Sequence, residues 1–186
     1  MEIQFAGFGG QGIILAGYLL GKAIAVYEGK NASMTQSYGP EARGGACSSG
    51  VVVSRNPEEL VDYPRVTRPD ILVVMSQEAF STYLPRLKPE GTLLYDADLV
   101  NPESIPEGVT AYPVPATRLA ETEIGKRIVA NVVMLGALVV LTRVVSPEAL
   151  REAVRTTVKP DYVELNLKAL EVGMAYAQNL LQPQEV

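Results

Sequence analysis

Residues 7–12 read GFGGQG, and Gly7, Gly9 and Gly12 stand at the spacing G-x-G-x-x-G. Glycines so spaced between a strand and a helix let the backbone turn sharply, approach an anion closely and pack the helix on the sheet. The helix that follows offers free N–H groups and the positive end of its dipole to such an anion. Gly10 adds backbone freedom, and Gln11 adds a side-chain amide able to donate or accept. A second stretch, SYGPEARGG at 37–45, also carries chemistry. Tyr38, Gly39 and Pro40 make a stiff turn beside an aromatic ring. Glu41 and Arg43 can pair with each other or with a partner, and Gly44 and Gly45 permit close backbone approach. Two readings stay open for each stretch. The glycine turn serves a phosphate-bearing ligand, or it serves strand–helix geometry alone. The loop presents Arg43 to an anion or a neighbouring subunit, or it is a surface loop with a local ion pair of little worth to stability.

What the sequence lacks narrows the chemistry. It has no histidine, so the usual general base is missing. Its single Cys47 excludes an intrachain disulfide, and an iron–sulfur or zinc site built from this chain's thiolates alone. The expectation is no catalytic residue, no metal site and no cofactor bound by this chain alone. Cys47 reads as a small buried residue. Asp96 and Asp98 allow a metal reading, but two carboxylates at a strand end suit turn hydrogen bonding better. Asn131, at the start of an apolar helix, reads as a buried polar anchor or a cap. A free-standing Rossmann-type dinucleotide-binding protein is the alternative reading. It wants a ribose-binding carboxylate about 20 residues past the turn. Residues 32–36 read ASMTQ and supply none, and Glu28 comes too early.

The elements that must position these residues follow from pattern. Residues 2–6 read as a buried strand, 13–28 as a helix of apolar spacing, and 32–36 as a short second strand. Val51 to Ser54 is β-branched and is either a strand or the end of one starting near Ala46. The connector 56–70 suggests a short polar turn of helix. Residues 71–76, ILVVMS, are continuously apolar, as expected of a central parallel strand. A helix at 77–87, a strand at 93–95, a proline-bearing edge strand near 108–116 and a helix near 116–125 follow. A long helix over 126–145 is apolar on most sides and therefore central in packing. Ser146, Pro147 and Glu148 make a well-formed helix start, and a final helix runs from 161 to 181. Strands alternating with helices argue for an α/β chain, a three-layer α/β/α sandwich with a mainly parallel, Rossmann-like sheet. Ligands of such sheets bind beyond the carboxyl ends of the strands. The glycine turn, the loop after Tyr38 and the Asp96–Asp98 segment all follow strands, and so fall on that one edge.

Composition sets the class. The chain has 186 residues, 47% of them hydrophobic, and a net charge of −5. That is one domain, read as residues 1–182 with a tail at 183–186. No block of lysine and arginine stands out, which argues against nucleic acid as a partner. The apolar run at 131–142 falls short of the ~20 residues a bilayer span needs. The opening MEIQFAGFGG lacks the basic region of a secretory leader. The expected location is cytoplasmic, with no membrane partner.

Taken together, these stretches resemble the gamma subunit of the 2-oxoacid:ferredoxin (acceptor) oxidoreductases. The resemblance rests on GFGGQGIILAG at 7–17, SYGPEARGG at 37–45, RPDILVVMSQEA at 68–79, LLYDADLV at 93–100, and VPATRLA with ANVVMLGAL near Asn131. It runs in order through nearly the whole chain, and the RGG ending of the second loop looks most like the 2-oxoglutarate type. It implies an enzyme that oxidatively decarboxylates a 2-oxoacid with coenzyme A, giving acyl-CoA, CO2 and reduced ferredoxin. Thiamine diphosphate with Mg and the iron–sulfur clusters are then expected on alpha, beta and in some members delta subunits, with ferredoxin met through the complex. This chain would contribute assembly and part of the coenzyme A side of the reaction. Its site residues would be Gly7, Gly9, Gly10, Gln11, Gly12, Tyr38, Gly39, Arg43, Gly44 and Gly45.

Overall fold

In the computed structural model, residues 1–38, 46–54, 56, 61 and 63–182 are described. The expected turns at Gly39–Pro40 and Gly44–Gly45, residues 57–60 and 62 of the connector, and the tail at 183–186 lie outside them. Among the described residues, six strands form one sheet: β1 (Glu2–Phe8), β2 (Ala32–Tyr38), β3 (Ala46–Val53), β4 (Ile71–Val74), β5 (Thr92–Asp96) and β6 (Thr110–Val114). The order across the sheet is β2-β3-β1-β4-β5-β6. β1, β4, β5 and β6 run parallel, whereas β3 runs antiparallel to both β1 and β2. Five strands therefore share one direction and β3 alone is reversed.

The mainly parallel sheet agrees with the pattern of strands and helices, and the longer form of the third strand, from Ala46, is the one adopted. The reversal of β3 is the departure from a simple Rossmann order. It arises because only the seven residues 39–45 join β2 to β3, and a connection that short joins antiparallel neighbours. Its consequence is local: Tyr38 pairs with Cys47, and Cys47 pairs with Gly7. Both ends of the 39–45 connection therefore stand beside the end of β1.

The helices are α1 (Ile13–Lys22), α2 (Gln77–Tyr83), α3 (Ala116–Leu119), α4 (Ala130–Thr142), α5 (Pro147–Arg155) and α6 (Val163–Leu181). A π turn, Ala23–Tyr27, extends α1, and a second, Ala120–Ile124, extends α3. Ser76 caps α2 and Ser146 caps α5 through their hydroxyls, as a serine before a helix should. The layers are unequal. One sheet face buries Ile3, Phe5, Val51 and Val73 against α1, α4, α5 and α6. The other packs Ala6, Leu72, Val74 and Leu93 under α2 and the segments after it. α4 is buried from Ala130 to Val139, as its all-round apolar sequence requires. A Cβ at Gly136 would overlap the Leu170 carbonyl, and one at Gly173 would overlap the Val133 carbonyl. The two glycines thus let α4 and α6 touch backbone to backbone. No helix among the described residues is long and apolar enough to cross a membrane.

Candidate functional site

The carboxyl ends of β1, β2, β4, β5 and β6 meet at one edge of the sheet, and the glycine turn is its centre. Gly7, next to last in β1, is buried where a Cβ would lie 2.5 Å from the Gln11 Oε1. Gly9 and Gly10 are exposed. Gly10 (φ 99°) and Gly12 (φ 74°) take left-handed conformations that favour glycine.

Two amide side chains fix this turn. Gln11 accepts from the Phe8 N–H at 2.7 Å and donates to the Met75 carbonyl at 2.7 Å, joining the ends of β1 and β4. Its amide therefore shapes the turn. Asn131, buried at the start of α4, donates through Nδ2 to the Gly12 carbonyl at 3.0 Å. Of its two sequence readings, the anchor is the one adopted. Gly12 is also the N-cap of α1, and no side chain among the described residues caps that helix. Its first turn contains no acidic residue either. The orphan N–H groups and positive dipole end of α1 are thus left for a ligand or a neighbour to satisfy.

Beside the turn lies a cavity of about 700 Å³, within the range of small-molecule sites. Gly9, Gly10, Gly12 and the first turn of α1 form one wall, and Tyr38 and Cys47 form another. The far side comes from Ile128, Val129 and Asn131 before and within α4, and from Lys159, Tyr162 and Asn166 around the start of α6. Leu15, Tyr38, Ile128 and Tyr162 are large apolar or aromatic residues exposed at its mouth, Ile128 at 74%. The site is therefore apolar-walled, with an uncapped helix terminus and one lysine as its positive features. Such a cleft suits a ligand with both an anionic group and a flat apolar one, and its greasy rim suits a protein neighbour.

Of the residues expected at the site, Gly7, Gly9, Gly10, Gln11, Gly12 and Tyr38 come together here. Gly39, Arg43, Gly44 and Gly45 lie outside the described residues, although Tyr38 and Ala46, which flank them, stand at the same edge. Ile128, Lys159, Tyr162 and Asn166 had no motif to announce them. Chain reversals far downstream carry them in, and the only hint was KPDY at 159–162, a turn ahead of a helix.

The neighbouring carboxylates are structural. Asp96, fully buried at the end of β5, accepts from the Asp98 N–H at 3.1 Å. It also accepts from the Thr117 N–H at 3.1 Å and the Thr117 hydroxyl at 2.6 Å. Burial pushes its carboxyl up, against the opposing effect of the Thr117 hydrogen bond. Asp98 accepts from the Arg118 N–H at 2.8 Å. The pair ties β5 to the start of α3 by turn hydrogen bonding. Burial likewise pushes the Cys47 thiol up, as suits an unreactive core residue. Among the described residues, no three of His, Cys, Asp and Glu stand together as a metal-ligand set.

Comparison with known proteins adds a lineage to this geometry. A family model described as pyruvate ferredoxin/flavodoxin oxidoreductase matches residues 2–176. The chain is 51% identical over 180 residues to 2-oxoglutarate synthase subunit KorC of Methanocaldococcus jannaschii, covering 96% of this chain and 95% of the relative. A solved gamma subunit of a keto/oxoacid ferredoxin oxidoreductase from Geobacter sulfurreducens superposes with a TM-score of 0.82 at 42% identity, over 96% of this chain and 98% of that one. The 2-oxoglutarate:ferredoxin oxidoreductase of Magnetococcus marinus, solved with 2-oxoglutarate, coenzyme A and succinyl-CoA bound, gives a TM-score of 0.86 at 29% identity. All of this chain aligns there, with 32% of the longer one.

Proposed function

The chain belongs to the pyruvate ferredoxin/flavodoxin oxidoreductase family, and from that premise we propose that it is the gamma subunit of a 2-oxoglutarate:ferredoxin oxidoreductase. The enzyme oxidatively decarboxylates 2-oxoglutarate and transfers the acyl group to coenzyme A, giving succinyl-CoA and CO2, while two electrons pass to ferredoxin. The observation that carries the choice of oxoacid is the 51% identity, over nearly the full length of both chains, to a 2-oxoglutarate synthase subunit.

The division of labour follows from what this chain offers. Thiamine diphosphate, Mg and the iron–sulfur clusters are assigned to the alpha, beta and, where present, delta subunits. Residues 1–182 act as one domain in the cytoplasm. This domain presents the glycine-turn edge to the other subunits and to coenzyme A. The uncapped start of α1, with Gly9, Gly10 and Gly12, would receive a phosphate of the coenzyme. Lys159 supplies a further positive charge, and Ile128 and Tyr162 an apolar wall for the adenine. Arg43 and its neighbouring glycines belong to the same reading through the position of Tyr38. Exposed Leu15, Ile128 and Tyr162 form the rim that another subunit covers.

Affinity capture of the tagged chain from its native source, followed by a panel of 2-oxoacids with coenzyme A and a viologen acceptor, tests this reading. It predicts that alpha- and beta-type chains carrying thiamine diphosphate are recovered and that 2-oxoglutarate drives reduction best. Recovery of the chain alone, with saturable NADH binding, would instead establish a free-standing dinucleotide-binding protein.

A further inference from the structure

The opposite face of the sheet carries a second cleft, of about 370 Å³, that the glycine-turn edge does not share. It lies over β2, β3 and β1. On this half, one face of the sheet is packed by α1, while residues 63–66 of the connector leading to β4 lie against the other. The strands reflect that in their alternation. Cys47, Ser49 and Val51 of β3 are buried on the α1 side, and Ser48 and Gly50 point the other way. Gln4, Thr35, Ser37 and Ser48 give the cleft a polar floor, in place of the apolar surface a helix would need. The connector is seated closely on it: a Cβ at Gly50 would lie 2.7 Å from Val66, and the Thr35 hydroxyl points to the Pro64 carbonyl at 3.5 Å.

Two arginines line this cleft from different segments, Arg65 from the connector and Arg86 from the 3-10 turn Leu84–Arg86 after α2. Arg86 lies over the Tyr83 ring at 5.3 Å from its centroid, which orients its guanidinium. Lys30, Lys88, Arg118, Arg127, Arg151 and Arg155 each stand within 4 Å of a carboxylate. Among the described residues, neither Arg65 nor Arg86 has such a partner. The hydroxyl of Ser48, a residue 7% exposed, also has no protein partner among them. In a chain of net charge −5, two guanidiniums with no carboxylate partner among the described residues, over a hydroxyl-bearing floor, form a positive site with fork-shaped donors.

We propose that this cleft binds the oxyanion headgroup, phosphate or carboxylate, of a small molecule, held by Arg65 and Arg86 with Ser48 beneath. Guanidinium forks match both headgroups bidentately. The site is separate from the glycine turn and does not depend on the reading of that turn.

The test is titration of the 15N-labelled 186-residue chain with inorganic phosphate, with acetate, and with sodium chloride at matched ionic strength. The Ser48, Gly50 and Val66 amides are expected to shift saturably with phosphate or with acetate, and not with chloride. Whichever anion saturates names the headgroup. In R65Q or R86Q alone the affinity falls roughly ten-fold, as loss of a charged hydrogen bond implies. In R65Q/R86Q the response disappears, while R65K/R86K, which keeps the charge and loses the fork, retains a weakened response. Shifts absent with both anions, reproduced by chloride, or unchanged in R65Q/R86Q would overturn the site. Shifts confined to the Gly9, Gly10 and Gly12 amides would also overturn it, while leaving the glycine-turn reading intact.

Discussion

The two edges of the sheet are finished in opposite ways. At the amino edge of the parallel strands, the chain satisfies its own polar groups. The terminal ammonium donates to the Val53 carbonyl at 2.7 Å, and the Glu2 N–H donates to the Asp70 carboxylate at 2.7 Å. The Glu2 carboxylate accepts from the Thr67 and Arg68 N–H groups at 2.7 and 2.9 Å. Asp70 in turn pairs with Lys88 at 2.8 Å. At the carboxyl edge, α1 starts without a side-chain cap, a 700 Å³ cavity stays open, and large apolar residues ring its mouth. The closed edge explains itself as structure. The open edge leaves donors and apolar surface that nothing among the described residues completes, and it is there that a subunit of a larger enzyme should work.

This contrast gives expectations that can be ranked by their effect on folding. The largest lies at the crossing that supports both edges. Gly136→Ala or Gly173→Ala sets a methyl against backbone, which cannot rotate away as a side chain can. A loss of about 3 kcal/mol or more in urea denaturation is expected, with assembly lost as well. Next comes the brace beneath the open edge. Asn131→Ala leaves the buried Gly12 carbonyl without its donor and should cost about 1–3 kcal/mol. Because the turn also loses its shape, coenzyme A dependence should weaken alongside, measured as a raised KM in the assembled enzyme.

A smaller effect is expected at the closed edge. Burial pushes the Asp70 carboxyl up, but the Lys88 ammonium and the Glu2 N–H outweigh it and hold the group below its ordinary value. A depressed carboxyl contributes stability that is present above its unfolded pKa and lost as pH falls through the folded one. Asp70→Asn should therefore cost about 1 kcal/mol or less near neutral pH, since the pair is partly exposed. Its deficit should close as the medium becomes acid through the carboxylate range, with activity unchanged. Asp96 works in the opposite sense. Its carboxyl is pushed up, so its contribution is present in acid and lost as pH rises through the folded value. Chemical denaturation of Asp96→Asn and wild type across pH should show that opposite slope. The smallest stability effect belongs to the open rim. Ile128→Ser, at an exposed position, should leave the melting temperature within the change expected of about 0.5 kcal/mol. Co-purification of the other subunits should nevertheless fall. If Ile128→Ser assembles as well as wild type while Asp70→Asn does not, the assignment of the two edges is reversed.

Much of the open edge was legible because it is local. A strand, three spaced glycines and an apolar helix occupy 2–22 in sequence, and the same residues occupy one corner of the fold. The apolar run at 71–74 likewise announced a central strand. The reversal of β3 was not legible in the strand itself, because VVV at 51–53 reads the same in either direction; it follows from the short connection and shows in the pairing of Tyr38 with Cys47. Gln11 shows a similar limit. Its type suited ligand or scaffold alike, and the hydrogen bond to Met75, 64 residues away, shows it bracing the scaffold. Lys159 and Tyr162 reach the cavity only because α5 packs on α1 and α6 on α4, a tertiary fact that the turn KPDY does not announce. The polar floor at Gln4, Thr35 and Ser48 was equally hidden, since residues from three strands compose it.

Amide hydrogen exchange on the assembled enzyme, with and without coenzyme A, bears most directly on the role given to the glycine-turn edge. Exchange at residues 9–15 and 128 should slow on assembly, and at 9–15 slow further when coenzyme A is added, while residues 2, 67, 68 and 70 stay unchanged. Full turnover with no coenzyme-dependent change at 9–15 would contradict that role and leave the glycine turn as a structural corner.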